Sequence, residues 1–247
     1  MATLLKGDCI ELMKRLRKGS VDLILCDLPY GITDCRWDKK IPLAPLWKSY
    51  DRVLKDDGAV LLFAQQPFAT HLAANASVSL KLRYEWIWDK GAVTGFQNAN
   101  RMPMRRHENI FVFYRRLPSY HPQGLVAARI HRDRKRRASE VYGAIGHRTK
   151  QRFTGYPASL IAFRREPGAA PCQKPVALLE YLIRTYSNRG DLVLDNCMGT
   201  GSTGVAAVRA GRRFIGMELD PDRFRIARDR MAAAEKPGLP AAAGHAS

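Results

Sequence analysis

The sequence predicts an α/β fold built on a largely parallel sheet. Three observations carry this. Strand-like apolar runs alternate with helical stretches at both ends of the chain, the strand-to-helix turn at 192–204 is crowded with glycines, and 46% apolar content over 247 residues is enough to bury one sizeable core. Between the alternating regions lies a basic stretch without that rhythm.

In order along the chain, an opening strand leads to a helix over Cys9–Arg17 and a short apolar strand, Val21–Cys26, that stops at Asp27. Leu46–Leu54 has helical periodicity, and Ala59–Phe63 is a continuous apolar run of the kind found in a buried strand. A helix over Pro67–Asn75 follows, then strands at Tyr84–Trp88 and Asn109–Tyr114, the first with one aromatic face toward the core. Arg106-His107-Glu108 reads either as a polar strand start or as a solvated turn. Alternation returns with a helix Val176–Ser187, a strand Leu192–Leu194, a helix Thr203–Ala210, a strand Phe214–Met217 and a helix Pro221–Ala234. Asp220 before Pro221 has the residue types of a helix N-cap and N1 pair. The remaining tail, 235–247, combines Pro, Gly and Ala and is expected to be disordered.

The chain carries 41 Lys and Arg against 23 Asp and Glu, a net +18. Between Arg101 and Phe153 there are 14 basic residues against three acids (Glu108, Asp133, Glu140), so +11 of the +18 lies there. Such an excess implies a polyanionic partner. The densest piece, Arg129 to Arg137, lacks amphipathic order, which favours nucleic acid over a membrane surface. No apolar run nears the roughly 20 residues of a membrane span, and the N-terminus lacks a secretory apolar region. Five scattered cysteines (Cys9, Cys26, Cys35, Cys172, Cys197) without a C-x-x-C pair exclude a disulfide framework and argue against a zinc site. No metal is expected.

Gly199-x-Gly201-x-x-Gly204 matches the dinucleotide fingerprint, with Glu218 where a ribose-binding acid belongs. Asp195, however, ends the preceding strand where pyrophosphate would approach, and like charges repel there. A ligand with a cationic centre and no phosphate suits the loop better, and S-adenosylmethionine, with its sulfonium, is such a ligand. At the other end, Asp27-Leu28-Pro29-Tyr30 closes a strand on the edge of the sheet where ligands bind. An acid, a carbonyl freed of a local donor by the following proline, and a flat ring suit a planar base with an exocyclic amine.

Here the chain resembles the amino-group DNA methyltransferases. Asp27 to Tyr30 is similar to their Asp/Ser-Pro-Pro-Tyr motif, Leu192 to Gly204 to their S-adenosylmethionine loop, and Gln173-Lys174-Pro175 to the motif placed before that loop. The order, catalytic motif first, basic segment second and cofactor loop last, is that of the permuted β class. The resemblance spans about residues 3–232 outside the basic segment. Two positions depart from the pattern: Leu28 replaces a proline, and Asn196-Cys197 replaces Pro-Phe, removing an aromatic face beside the cofactor's methionine end.

The resemblance implies a Rossmann-like, S-adenosylmethionine-dependent methyltransferase fold with permuted motif order. It divides the chain into a catalytic half (1–114), an inserted basic target-recognition segment (115–165) and a cofactor-binding half (166–234). It implies that Asp27, Leu28, Pro29 and Tyr30 hold a flipped base, adenine at N6 in preference to cytosine at N4, for direct methyl transfer. Asp195, Cys197, Gly199 and Gly201 would surround the methionine end of the cofactor, Glu218 the ribose, Asp8 the adenine amine, and Lys174 would lie beside it. Asp8 also reads as the N-cap of the helix from Cys9. Arg132, Arg134, Lys135, Arg136 and Arg137 would contact the phosphates of double-stranded DNA. The resemblance admits a homodimer and a cognate restriction endonuclease as partners, and places the chain in the cytoplasm of a bacterial cell, encoded by the cell or a phage. Two rivals are a nicotinamide-dependent oxidoreductase, opposed by Asp195, and a catalytically silent nucleic-acid-binding protein.

Overall fold

The computed structural model describes residues 1–31, 38–128, 152–166 and 173–235. The chain divides into two units, residues 1–121 with 159–247, and residues 122–158. The elements in order are β1 (Ala2–Lys6), α1 (Cys9–Lys14), β2 (Val21–Asp27), α2 (Leu43–Val53), β3 (Leu54–Ala64), α3 (Phe68–Ala74), β4 (Lys81–Thr94), β5 (Arg105–Tyr114), β6 (Val126–Ala127), β7 (Phe153–Thr154), β8 (Leu160–Ala162), α4 (Val176–Tyr186), β9 (Leu192–Asp195), α5 (Ser202–Arg209), β10 (Arg213–Glu218) and α6 (Pro221–Ala234).

In the larger unit one sheet has the strand order β1-β10-β9-β2-β3-β5-β4-β8. Neighbours pair in parallel except where β5 runs antiparallel to both β3 and β4. The expected α/β architecture is thus present. Strand β2 sits centrally and is buried on both faces from Leu23 to Cys26, which explains its unbroken apolar run. Alternate residues serve two cores. Leu23, Leu25, Phe63, Ile110, Val112 and Trp88 pack with α4, α5 and α6, whereas Ile24, Cys26, Val60, Leu62 and Phe113 pack with α1, α2 and α3. From the middle of the sheet the crossovers run outward in opposite senses, β9 to β10 on one side and β2 to β3 on the other. The cleft between the carboxyl ends of β9 and β2 is therefore the topological switch point, where a doubly wound sheet binds ligands.

Several bounds differ from expectation. Helix α1 stops at Lys14, where Arg15 and Leu16 turn back to the carbonyls of Leu12 and Met13 in tighter three-residue turns and the Arg52 guanidinium donates to the carbonyls of Met13 and Leu16. Helix α2 begins at Leu43, directly after Pro42. Strand β8 falls inside the stretch read as basic insertion: Leu160–Ala162 pairs in parallel with Ile87–Asp89, and the Trp88 indole donates to the Phe163 carbonyl at 2.8 Å. The larger unit accordingly resumes at Ser159. In the smaller unit β6 and β7 form a two-stranded antiparallel ribbon. Arg132, Arg134, Lys135, Arg136 and Arg137, and the tail from 236, lie outside the described residues. Among the described residues no helix is long and apolar enough to cross a membrane.

Candidate active site

Side chains two apart on a strand share a face, so Asp27 continues the Leu23, Leu25 row toward α4. In the paired strands the same face carries Phe63, then Glu108 two residues before Ile110, and Lys90 two residues beyond Trp88. Lys174, just ahead of α4, comes down onto this row. Its Nζ lies 2.6 Å from Asp27 Oδ2, 3.2 Å from Glu108 Oε2 and 5.1 Å from the centre of the Phe63 ring. Lys90 Nζ closes the chain of charges at 3.4 Å from Glu108 Oε1. Two cations thus face two carboxylates, with Lys90 3% and Lys174 9% exposed. Glu108 Oε2 is buried without a well-aligned hydrogen bond, its contact to Lys174 being an ion pair only.

Burial raises the pKa of Asp27, Lys174 opposes that rise and Glu108 adds to it. Burial by itself would lower Lys174, but Asp27 and Glu108 outweigh it and hold the lysine above its ordinary value. Lys90 is lowered, by burial first, with Glu108 resisting. The Tyr30 hydroxyl donates to Asp27 Oδ1 at 2.8 Å, and its ring stacks on Phe68 at 5.1 Å between centres. Leu28 turns its side chain into the core on the α1–α3 face.

On the other side of the cleft, Asp195 ends β9 almost wholly buried, accepting the Cys197 backbone N–H at 3.0 Å. Burial raises its pKa to about 6, although Thr203, Cys197 and Cys26 donate to it. This is a carboxylate whose local donors fall short of compensating its charge. Glu218 ends β10 and accepts the N–H groups of Gly199 (2.9 Å) and Asp220 (2.8 Å). Asp220 caps α6 as expected. Asp8 Oδ1 accepts from Ile10 and Glu11, so the N-cap reading holds for it. Cys197 is half-buried, with Asn196 Nδ2 3.4 Å from its sulfur, and Asn196 Oδ1 accepts the Tyr50 hydroxyl at 2.6 Å.

Asp8, Asp27 to Tyr30, Lys174, Asp195, Cys197, Gly199 and Glu218 line one cavity of about 510 Å³, a size suited to a small-molecule ligand. Gly201 stands behind its wall. There φ is +81°, and a Cβ would lie 3.1 Å from that of Ala227, so the turn into α5 requires glycine. Sequence reasoning missed Lys90 and left Glu108 open between strand and turn. The available signal was the alternation counted back from Ile110, but it requires knowing that β5 returns antiparallel to the ligand-binding edge.

A family model described as DNA methylase, of the N6/N4 type, matches residues 21–229. The chain belongs to this family of amino-directed DNA methylases. The methylase is 27% identical over 250 residues to the DNA adenine methyltransferase YhdJ of Escherichia coli K12, covering 91% of this chain and 80% of that protein. It is 25% identical over 245 residues to the type II methyltransferase M.HpaI of Haemophilus parainfluenzae, covering 92% and 73%. Among solved structures, the M1.HpyAVI–SAM complex superposes with a TM-score of 0.64 at 22% identity, covering 93% of this chain and all of that one. The cytosine-N4-specific PvuII DNA methyltransferase gives 0.69 at 14% identity over 94% and 90%. The methylase therefore has the Rossmann-like methyltransferase fold anticipated from its motifs, and S-adenosylmethionine is the methyl donor that membership implies.

Proposed function

We propose that the methylase modifies N6 of adenine in double-stranded DNA, with the target base flipped into the cleft beside Asp27. The observation that carries this reading is the Asp27 carboxylate held between the Tyr30 hydroxyl and Lys174 Nζ, in the same cavity as Asp195 and Glu218.

The cavity fits S-adenosylmethionine by the chemistry of its lining: a buried, under-compensated carboxylate at Asp195 suits a cationic centre, and the Glu218 carboxylate, with acceptor capacity beyond the Gly199 and Asp220 N–H groups, suits ribose hydroxyls. When bound, that molecule supplies an electrophilic methyl group on sulfonium. The rest falls to side chains of the chain. Lys174 keeps Asp27 ionised against burial, so that Asp27 and the Leu28 carbonyl accept hydrogen bonds from the amine and aim its lone pair outward. Pro29, with its φ fixed by the ring, sets the chain direction at that carbonyl. The exposed face of the Tyr30 ring stacks on the base, a contact worth roughly 1–3 kcal/mol. Cys197 and Gly199 border the methionine end, and Asp8 caps α1 beside the adenine end.

An acid at the first motif position, and the adenine-specific name of the YhdJ relative, favour adenine over cytosine. The basic segment, with Arg132 and Arg134 to Arg137, would hold the duplex by its phosphates. The type II names of several relatives favour a cognate restriction endonuclease as partner. Such a pair acts on DNA in the bacterial cytoplasm. Mass spectrometry of nucleosides from DNA incubated with the chain and S-adenosylmethionine tests the reading. N6-methyladenine is expected, and N4-methylcytosine as the sole product overturns the choice of base.

A further inference from the structure

Strands β4 and β5 are joined by a hairpin that rises from the ligand-binding edge of the sheet, its root marked by Lys90 and Glu108. From Gly91 to His107 every residue except Thr94 is exposed. Four of them are large and apolar: Val93 (50% exposed), Phe96 (82%), Met102 (48%) and Met104 (40%). Single exposed apolar side chains are ordinary on a protein surface, but four on one hairpin beside exposed arginines offer a partner both apolar and cationic contacts. The same segment carries Arg101, Arg105 and Arg106 and no acid. Arg106 is neutralised by Asp89, with contacts of 2.9 and 3.0 Å. Arg105 Nη1 lies 3.4 Å from Oε1 of Gln65, which lines the cavity, so the hairpin flanks the cavity mouth.

The charge selects the occupant. A second copy seated through this patch by two-fold symmetry would bring like arginines together, whereas a polyanion with apolar base faces satisfies both residue classes. Proteins that distort DNA insert Phe or Met between base steps in this way. A base that leaves the stack for the cavity also leaves a gap beside the cavity mouth.

We propose that the β4–β5 hairpin is a wedge that holds the duplex open during base flipping, with Phe96 entering the stack, Met102 and Met104 flanking it, and Arg101 and Arg105 on phosphates. This rests on the DNA-methylating reading above and adds the element that pays the cost of extrusion.

The test uses the full chain and duplex oligonucleotides carrying its target, the target being found by modified-base sequencing of plasmid DNA from cells that express it. One duplex has the target base paired; the other has an abasic site opposite it. Phe96→Ala should lower kcat/KM about 10- to 100-fold on the paired duplex, as loss of a stacking contact predicts. On the abasic duplex, where extrusion is already cheap, it should lose little, and Phe96→Trp should restore the paired rate. Arg101→Ala and Arg105→Ala should weaken both duplexes alike, each lowering the slope of log affinity against log salt by about 0.9. Equal rates for Phe96→Ala and the parent chain on both duplexes overturn the wedge while leaving the methylase reading intact. So does a change in sedimentation without a change in rate, which would mark a contact between copies. Absence of methylation by the parent chain on any DNA overturns the reading and the wedge together.

Discussion

Lys174 Nζ stands 2.6 Å from Asp27 Oδ2, joining side chains 147 positions apart in the sequence. The same ammonium reaches Glu108, so one lysine divides its charge between two carboxylates. Asp27 is raised by burial, lowered by Lys174 and raised by Glu108, which makes the two neighbours opposing controls on one group.

Replacing them should shift the pH profile in opposite directions. In the mechanism proposed above methyl transfer needs Asp27 ionised, so activity should fall as pH drops through its pKa in the complex. Lys174→Met removes the group that lowers that pKa, and the acid limb of kcat should move to higher pH. Glu108→Gln removes a group that raises it, and the limb should move to lower pH. Rate profiles for both variants, corrected for folded fraction, check this; shifts of the same sign would reject the opposed roles.

Glu108→Gln also leaves two buried lysines against one carboxylate. Breaking a buried pair by removing one partner costs about 3–5 kcal/mol. Adding Lys90→Met to Glu108→Gln removes the stranded cation and should recover a large part of the loss. Urea unfolding of the single and double variants measures the coupling.

Asp195 predicts a trade between stability and binding. Its folded pKa, about 6, lies above the ordinary carboxylate value, so the native state holds more protons than the unfolded chain between roughly pH 4 and 6. Stability contributed by this group is therefore present at low pH and declines as pH rises through that window, by about 3 kcal/mol in all. Asp195→Asn should be more stable than the parent at pH 8 and lose the pH dependence. S-adenosylmethionine affinity should drop in the variant, and in the parent below pH 6. Calorimetry showing unchanged affinity would detach Asp195 from the cofactor.

Asp8 separates capping from ligand contact. Asp8→Ala should cost about 1 kcal/mol of stability through the lost N-cap bonds, whereas Asp8→Ser retains a capping oxygen and should cost little. If S-adenosylmethionine affinity falls in both variants, the carboxylate also serves the cofactor; if it follows stability, Asp8 acts on the helix alone.

These residues differ in how visible they were before folding. Asp27, Asp195 and Glu218 each end a strand beside a turn of distinctive composition, so local sequence exposes them. Lys174 could be placed by its motif, but whether it was buried could not, because its partners come from β2 and β5. Lys90 and Glu108 acquire meaning only through the antiparallel register that sets Trp88 opposite Glu108. The Tyr50 to Asn196 bond joins a helix to the glycine-rich loop after β9 with no local signature at either end. Strand β8 is three residues long, exposed at both ends, and is fixed by the edge of β4 more than by its own pattern.

Gly204 tests how tightly α5 presents the glycine-rich loop proposed to hold the cofactor. It is a helical glycine, so alanine should favour the helix by about 1 kcal/mol in isolation. A Cβ here, however, would lie 2.6 Å from Met231 Sδ and 2.7 and 2.9 Å from two carbons of the Phe214 ring. The methionine end can swing away, but the ring is 1% exposed and locked in the core, so the clash must move α5 itself. Overpacking of this kind costs about 1–3 kcal/mol, enough to exceed the propensity gain. Gly204→Ala should therefore lower Tm and weaken S-adenosylmethionine binding, because Gly199 and Gly201 ride on the start of the same helix. Met231→Ala in that background should relieve only the sulfur contact and leave binding impaired. A Gly204→Ala protein with a raised Tm and parent affinity would show that the helix has room to spare and that the third glycine of the loop is a matter of backbone preference alone.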